Sequence, residues 1–258
     1  MKSNNTLQAK LSKIDELREF VSAHSLPQSL QRDIAEDFKL RYTYDSNAIE
    51  GNTLTLHETK VVLEGVTIGG KTLREHLEVI NHAEAIEYIM DLVKNSVPIS
   101  EYQIKSIHNL ILKGIDSANA GVYHSVDVHI SGANHIPPQP YLIQSEMDRF
   151  MQWYEDEAQG LHPVIRASRV HIDLVGIHPF IDGNGRTSRL VMNLELLKNN
   201  YPAINIKSDK KAQYYAALER AHCDRSFEAF DELVAGYVMQ ELQERKDLYM
   251  RSVENQQR

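Results

Sequence analysis

The sequence predicts an all-α protein carrying one β-hairpin, and three observations lead there. Apolar residues recur at three- and four-residue spacings along most of the chain, which is the period of a helix with one buried face. A period of two occurs in only one short stretch. Glycine or proline punctuates the intervals between periodic segments, where helices stop. The 258 residues, 42% hydrophobic and 25% charged, suit a soluble globular domain with room for a sizeable core.

Taken in order, Leu7, Leu11, Ile14, Leu17 and Val21 define an amphipathic helix over 7–23, broken by Ser25-Leu26-Pro27. A second helix, 28–49, carries Ile34, Phe38 and Tyr42 and stops at Gly51. Thr55 and Glu58 form a capping box for a short helix closing near Gly65. Leu77, Ile80, Ala83, Ile86, Ile89 and Leu92 mark a long helix over 72–95, and Ile104, Ile107, Leu110 and Ile111 another over 100–114. Between 121 and 140 the period changes. Val126-Asp127-Val128-His129-Ile130 alternates like a strand, Ser131 to Asn134 gives a turn, and the proline-rich 135–140 is extended. Helical pattern returns at 144–157, from Pro163 into His178, from Arg186 to about Lys198, and at 208–222 and 227–250, while 251–258 reads as frayed. Trp153 and Cys223 read as packed residues. The expected division is an N-terminal helical region (1–60), a core (61–230) and a C-terminal helical extension (231–258).

A net charge of −8 and a pI near 5.8 argue against a general nucleic-acid binder. Cys223 is the only cysteine, so neither an intrachain disulfide nor a cysteine-rich zinc site can form. The first residues lack an apolar signal core and no apolar run reaches the length of a membrane span. A cytoplasmic protein without a membrane partner is expected.

The chemistry concentrates in His178-Pro179-Phe180-Ile181-Asp182-Gly183-Asn184-Gly185-Arg186-Thr187-Ser188-Arg189. Two glycines make a turn whose N–H groups converge into an anion-binding nest, and the helix that follows presents its N-terminus to the same point. Arg186 and Arg189, three apart, offer guanidinium forks to two phosphate groups. Asp182 is a hard oxygen ligand suited to Mg²⁺. His178 stands where it could take a proton from an attacking hydroxyl. These residues describe a phosphate site with a base beside it.

This run resembles the Fic motif, His-Pro-Phe-x-Asp/Glu-Gly-Asn-Gly-Arg-x-x-Arg, at every specified position, and the resemblance extends over about 40–230. It implies a Fic-type helical bundle that transfers AMP from ATP to a Ser, Thr or Tyr hydroxyl of a target protein and releases pyrophosphate. His178 would be catalytic. Asp182, Gly183, Asn184, Gly185, Arg186, Thr187 and Arg189 would bind ATP and Mg²⁺, with Tyr214 against the adenine. Val128, His129, Ile130 and Ser131 would form the flap that pairs with an extended target segment. Ser46-Asn47-Ala48-Ile49-Glu50-Gly51 is similar to the family's inhibitory motif, which implies that Glu50, helped by Ser46, pairs with Arg189 and withholds it from phosphate. A branch with lysine in place of Gly185 transfers phosphate instead, so Gly185 favours AMP transfer. Family members also imply self-association and self-modification. Three competing readings are removal of AMP with Glu50 positioning water, a non-catalytic nucleotide-sensing or peptide-binding module, and a toxin restrained by a separate chain. The sequence departs from family habit at His124 and around His222.

Overall fold

The computed structural model describes residues 2–256, and among these no strand forms. Ten α-helices run α1 (Lys2–Ala23), α2 (Gln28–Ile49), α3 (Leu56–Leu63), α4 (Leu73–Lys94), α5 (Glu101–Leu112), α6 (Ile143–Asp156), α7 (Pro163–Ile177), α8 (Asn184–Lys198), α9 (Lys211–Cys223) and α10 (Glu228–Gln256). The ends follow local chemistry. Thr55 and Thr72 each close a reciprocal capping box with the glutamate three residues on. Pro163 opens α7, where its missing N–H costs nothing.

The centre is the α7–α8 hairpin. Helix α8 is buried almost all round, so both of its sides meet protein. On one side Leu11, Ile14 and Leu17 of α1 join Phe230, Val234 and Val238 of α10 against Ala167, Met192 and Leu196. On the other, Ile86 and Ile89 of α4, Ile104 and Ile107 of α5 and Met147 and Phe150 of α6 meet Leu174, Leu190 and Leu194. Helices α1 and α10 run side by side in the same direction, since Lys10 pairs with Glu232 and Phe20 meets Tyr249. Helix α2 crosses toward α8 and is pinned near its end by Asp45, which accepts hydrogen bonds from Asn205 Nδ2 (2.7 Å), Ser208 N (2.9 Å) and Ser208 Oγ (2.8 Å). That fixes where Ser46 and Glu50 stand.

Several expectations need correction. The hairpin at 121–140 is absent: the segment is irregular. Its return arm carries Pro137, Pro138 and Pro140, which have no N–H to donate to a ladder. Its polar groups bond elsewhere, His124 N to Pro179 O (3.0 Å), Asn134 N to the Glu219 carboxylate (3.0 Å) and His135 Nε2 to Gly176 O (2.8 Å). Residues 251–256 continue α10 instead of fraying, and 257 and 258 lie outside the described residues. Ile80 is partly solvent-facing, at 36% exposure, and Cys223 is exposed. Among the described residues no helix is long and apolar enough to cross a membrane.

Candidate active site

Helix α8 buries Arg186, Thr187, Ser188, Arg189, Asn193 and Glu195 along with its apolar residues. A buried helix this polar must find partners for its charges. Glu195 finds them in Arg166 Nε (2.5 Å) and Tyr154 OH (2.6 Å), a closed network inside the bundle. Arg186 and Arg189 find theirs at the site.

The turn before α8 is held rigid. Asn184 accepts from Phe180 N (2.9 Å) and donates to Phe180 O (2.7 Å), closing the loop on itself. Gly183 has φ +76°, the left-handed region that glycine tolerates. Its N–H donates to Asp182 Oδ1 (2.5 Å). His108 of α5 supports this turn from beneath. It stacks on Phe180 with ring centroids 3.6 Å apart, accepts from Gly121 N at Nδ1 (2.9 Å) and donates from Nε2 to Asp182 O (2.8 Å).

His178 caps α7 in the left-handed conformation at φ +53°, rare for a side chain with a Cβ and a recurrent feature of functional positions. Its Nδ1–H donates to Val175 O (3.3 Å), leaving Nε2 with its lone pair. Burial pushes the imidazole down to about 4, only partly offset by the Val175 carbonyl and Glu50. It is neutral at physiological pH, the form a base requires.

Arg189 is 1% exposed and fully engaged. It donates from Nε to Ser46 Oγ (3.0 Å), from Nη2 to Ser46 O (2.8 Å) and Glu50 Oε1 (2.8 Å), and from Nη1 to Tyr214 OH (3.3 Å). Burial works against its charge, but Glu50 together with Tyr214 and Tyr42 outweighs that and raises its pKa. Glu50 follows the last residue of α2 and lies directly over Gly185, where a Cβ would overlap its carboxylate. Arg186 lies beneath, 3.4 Å from Glu78 Oε1 and 3.4 Å from Asp182 Oδ1, and its Nε and Nη1 have no hydrogen-bond acceptor. Burial would raise Asp182, but Arg186, the Gly183 N–H and Arg74 hold its carboxyl below the usual range. Arg74 pairs directly with it.

A cavity of about 720 Å³ opens over this assembly. Glu50, Gly185, His178 and Tyr214 line it, with His129, Ile130 and Ser131 along one rim. The cavity therefore gathers the expected base, one glycine of the nest, the expected inhibitory glutamate and part of the expected flap. Ser46, Val128, Asp182, Gly183, Asn184, Arg186, Thr187 and Arg189 do not line the cavity, and of these Ser46, Asn184, Arg186, Thr187 and Arg189 are buried. Tyr214 is 1% exposed, its hydroxyl also 3.0 Å from His171 Nε2, whereas Tyr215 presents the open ring at 41%. Three contributors went unread in the sequence: Arg74, Glu78 and His108. Arg74 and Glu78 are an ordinary i,i+4 surface pair in sequence, and His108 is one histidine among twelve.

Residues 98–196 match the family model described as the Fic/DOC family. Residues 134–508 of Fic-1 from C. elegans superpose with a TM-score of 0.87 at 30% identity, over 96% of this chain and 74% of that one. The chain belongs to the Fic family. A Fic domain containing signaling protein from Bacteroides thetaiotaomicron gives 0.82 at 27% identity, over 93% and 97% of the two chains. Curated relatives named protein adenylyltransferase Fic include that of Drosophila mojavensis, 37% identical over 83% of this chain and 43% of its own length. The Nematostella vectensis relative is 38% identical over 83% and 51%. The chain thus spans about half the length of the curated relatives it matches. Its Fic fold is all-helical and keeps the motif, the turn and the facing glutamate in one place.

Proposed function

We propose that this Fic protein transfers AMP from ATP to a hydroxyl side chain of another protein, and that Glu50 restrains the reaction. The observation that carries the reading is the cavity lined by a neutral His178, by Gly185 in the first turn of α8 and by Glu50, whose carboxylate holds the buried Arg189.

The acceptor hydroxyl approaches His178 Nε2, which takes its proton as oxygen attacks the α-phosphorus. The bond to the bridging oxygen breaks and pyrophosphate leaves. Asn184 and Gly185, in the first turn of α8 behind Gly183, offer backbone N–H groups to phosphate, and Arg186 supplies buried donors lacking acceptors. Asp182 fits a Mg²⁺ site of the usual kind, one carboxylate with remaining ligands from phosphate and water, because its side chain is 42% exposed at the mouth of the nest. Bound Mg²⁺ would neutralise phosphate charge. Arg74 holds the carboxylate oriented meanwhile.

With Glu50 on Arg189, the guanidinium has no free fork for phosphate, and the glutamate occupies space above Gly185. This supports autoinhibition by α2. The segment carrying His129 to Ser131 has no strand partner, and apart from the turn bond from Ala133 N to Ile130 O (3.2 Å) it could offer its backbone to an extended peptide.

Intact-protein mass spectrometry tests the reading. After incubation with Mg-ATP and lysate proteins, the Glu50→Ala variant should add adenylyl groups to a protein, itself included. Added loss of His178 (His178→Ala) should abolish this. A phosphate-sized gain would mean the nucleotide lies reversed and would overturn the proposal.

A further inference from the structure

A second cavity, of about 880 Å³, lies away from the active site, between α1, α2, α4, α8 and α10. Its walls are mainly apolar, including Phe20, Ile34, Phe38, Ile86, Ile89 and Leu197, and its volume suits a small molecule. Two of the polar side chains in the lining carry a buried atom without a hydrogen-bond partner. Tyr42 is 1% exposed, and its hydroxyl has no hydrogen-bond partner. The adjacent Asn193 already commits its amide to the backbone of Ile204, accepting from N (2.8 Å) and donating to O (2.9 Å). Arg245 is the second group. Its Nε is shut off from solvent without an acceptor, and among the described residues no carboxylate lies within ion-pair distance. Burial lowers its pKa, and only Glu241, one turn earlier, opposes that. At the mouth, Lys39 and Glu87 are already paired with each other. A cationic side chain in a mainly apolar cavity, with neither of the lining carboxylates, Glu87 and Asp91, within ion-pair distance of it, is the chemistry of a site for an acid.

We propose that this cavity binds a small amphipathic carboxylic acid, its apolar body among the core residues and its carboxylate on Arg245, and that occupancy tightens the Glu50–Arg189 contact. The second half of this inference rests on reading that contact as inhibitory. The connection is covalent along two helices. Ile34, Phe38, Tyr42, Ser46 and Glu50 stand at successive fourth positions on and just past α2. The first three line the cavity and the last two hold Arg189. On α8, Asn193 lines the cavity one turn beyond Arg189. A ligand filling the space between α2, α4 and α8 braces α2 where Glu50 meets Arg189.

Calorimetric titration with dodecanoate, below its micelle concentration, tests the site. One molecule should bind per chain, and dodecanol and dodecyltrimethylammonium should bind much more weakly. Arg245→Met should weaken dodecanoate about tenfold, the worth of a charge-assisted hydrogen bond, while Arg245→Lys recovers part of it. Ala35→Trp, filling the cavity from an exposed position on α2, should abolish binding with the circular dichroism spectrum unchanged. No binding to the wild type, or equal binding by Arg245→Met and Ala35→Trp, overturns the site. For the coupling, saturating dodecanoate should weaken ATP binding to the wild type about fivefold and leave Glu50→Ala unaffected. Binding without that shift overturns the coupling. Neither readout requires AMP transfer, so failure of the catalytic reading would be seen separately.

Discussion

Replacing Glu50 with alanine should make the free protein less stable and its ATP complex tighter, two opposite effects at one guanidinium. Glu50 accepts a charge-assisted hydrogen bond of 2.8 Å from Arg189, which is 1% exposed. Such bonds contribute about 1.5–3 kcal/mol. Stranding a buried charge altogether costs about 3–5 kcal/mol. Arg189 is not stranded, because Ser46 Oγ, Ser46 O and Tyr214 OH remain as acceptors. The loss is therefore about 2 kcal/mol. For a chain of this size that lowers Tm by roughly 4–8 °C. Alanine avoids the backbone entropy glycine would add, and the position lies past the last helical residue, so the change reads the side chain alone.

In the variant the same guanidinium is free to bond a phosphate oxygen. A bond of equal strength tightens ATP by roughly tenfold to a hundredfold. Scanning fluorimetry with and without Mg-ATP, together with calorimetric ATP titration, measures both numbers. The variant should melt lower alone and recover more on adding ATP. A lower Tm with unchanged ATP affinity would refute the argument, since Glu50 would then stabilise the fold without competing for the phosphate donor.

Other outcomes follow from the same geometry. Gly185→Ala should destabilise the wild type, because its Cβ overlaps the Glu50 carboxylate, and should cost much less in Glu50→Ala, where only Arg189 Nη1, 3.1 Å away, still crowds it; thermal melts of the four-member cycle show whether the two changes couple. His82, His108, His171, His178 and His222 are all pushed down by burial, His108 to about 4. The unfolded chain then binds more protons than the native one below the ordinary histidine value of 6.5, so this stability is present at pH 7 and is lost as pH falls toward 4. For His108 alone the full loss amounts to about 3 kcal/mol, of which about 2 kcal/mol falls between pH 7 and pH 5, and denaturant midpoints at those two pH values should differ accordingly. Chelating Mg²⁺ should abolish AMP transfer by Glu50→Ala, and Asp182→Asn should raise the Mg²⁺ concentration needed to restore it; transfer undiminished in excess chelator would remove the metal from the mechanism.

What could be read from sequence was whatever has a local cause. Helix ends depend on a threonine and glutamate three apart or on a proline, and Thr55, Thr72 and Pro163 act where they stand. The nest also depends on its own residues, since Gly183 supplies the turn and Asn184 closes it. The strand reading failed because alternation at Val126 to Ile130 describes one chain only, whereas a ladder needs N–H groups from a second, and the prolines of 135–140 remove them. Arg74, Glu78 and His108 escaped for the complementary reason. Their roles begin only when α4 and α5 pack against the 178–189 turn.

The two arginines show why the pairing of acids matters more than their number. Both sit on the buried helix α8, and each is answered by a carboxylate from a different neighbour: Arg186 by Glu78 of α4 and Asp182 of its own turn, Arg189 by Glu50 beyond α2. Glu78 is 12% exposed and caught between Arg74 and Arg186, with Asn52 donating to it as well (2.9 Å). Glu50 is 32% exposed and meets one arginine from a chain end. Moving Glu78 would take a carboxylate from two cations at once, leaving both to Asp182, and pull on the 52–78 contact, whereas moving Glu50 affects one that retains three neutral acceptors. The cheaper of the two contacts to open is the one over Gly185, and it leaves the donors of the nest and Arg186 in place. On the proposed reading, moving the Glu50 side chain off Arg189 would change the one group that competes with phosphate while Ser46, Tyr214 and the rest of the site stay in place.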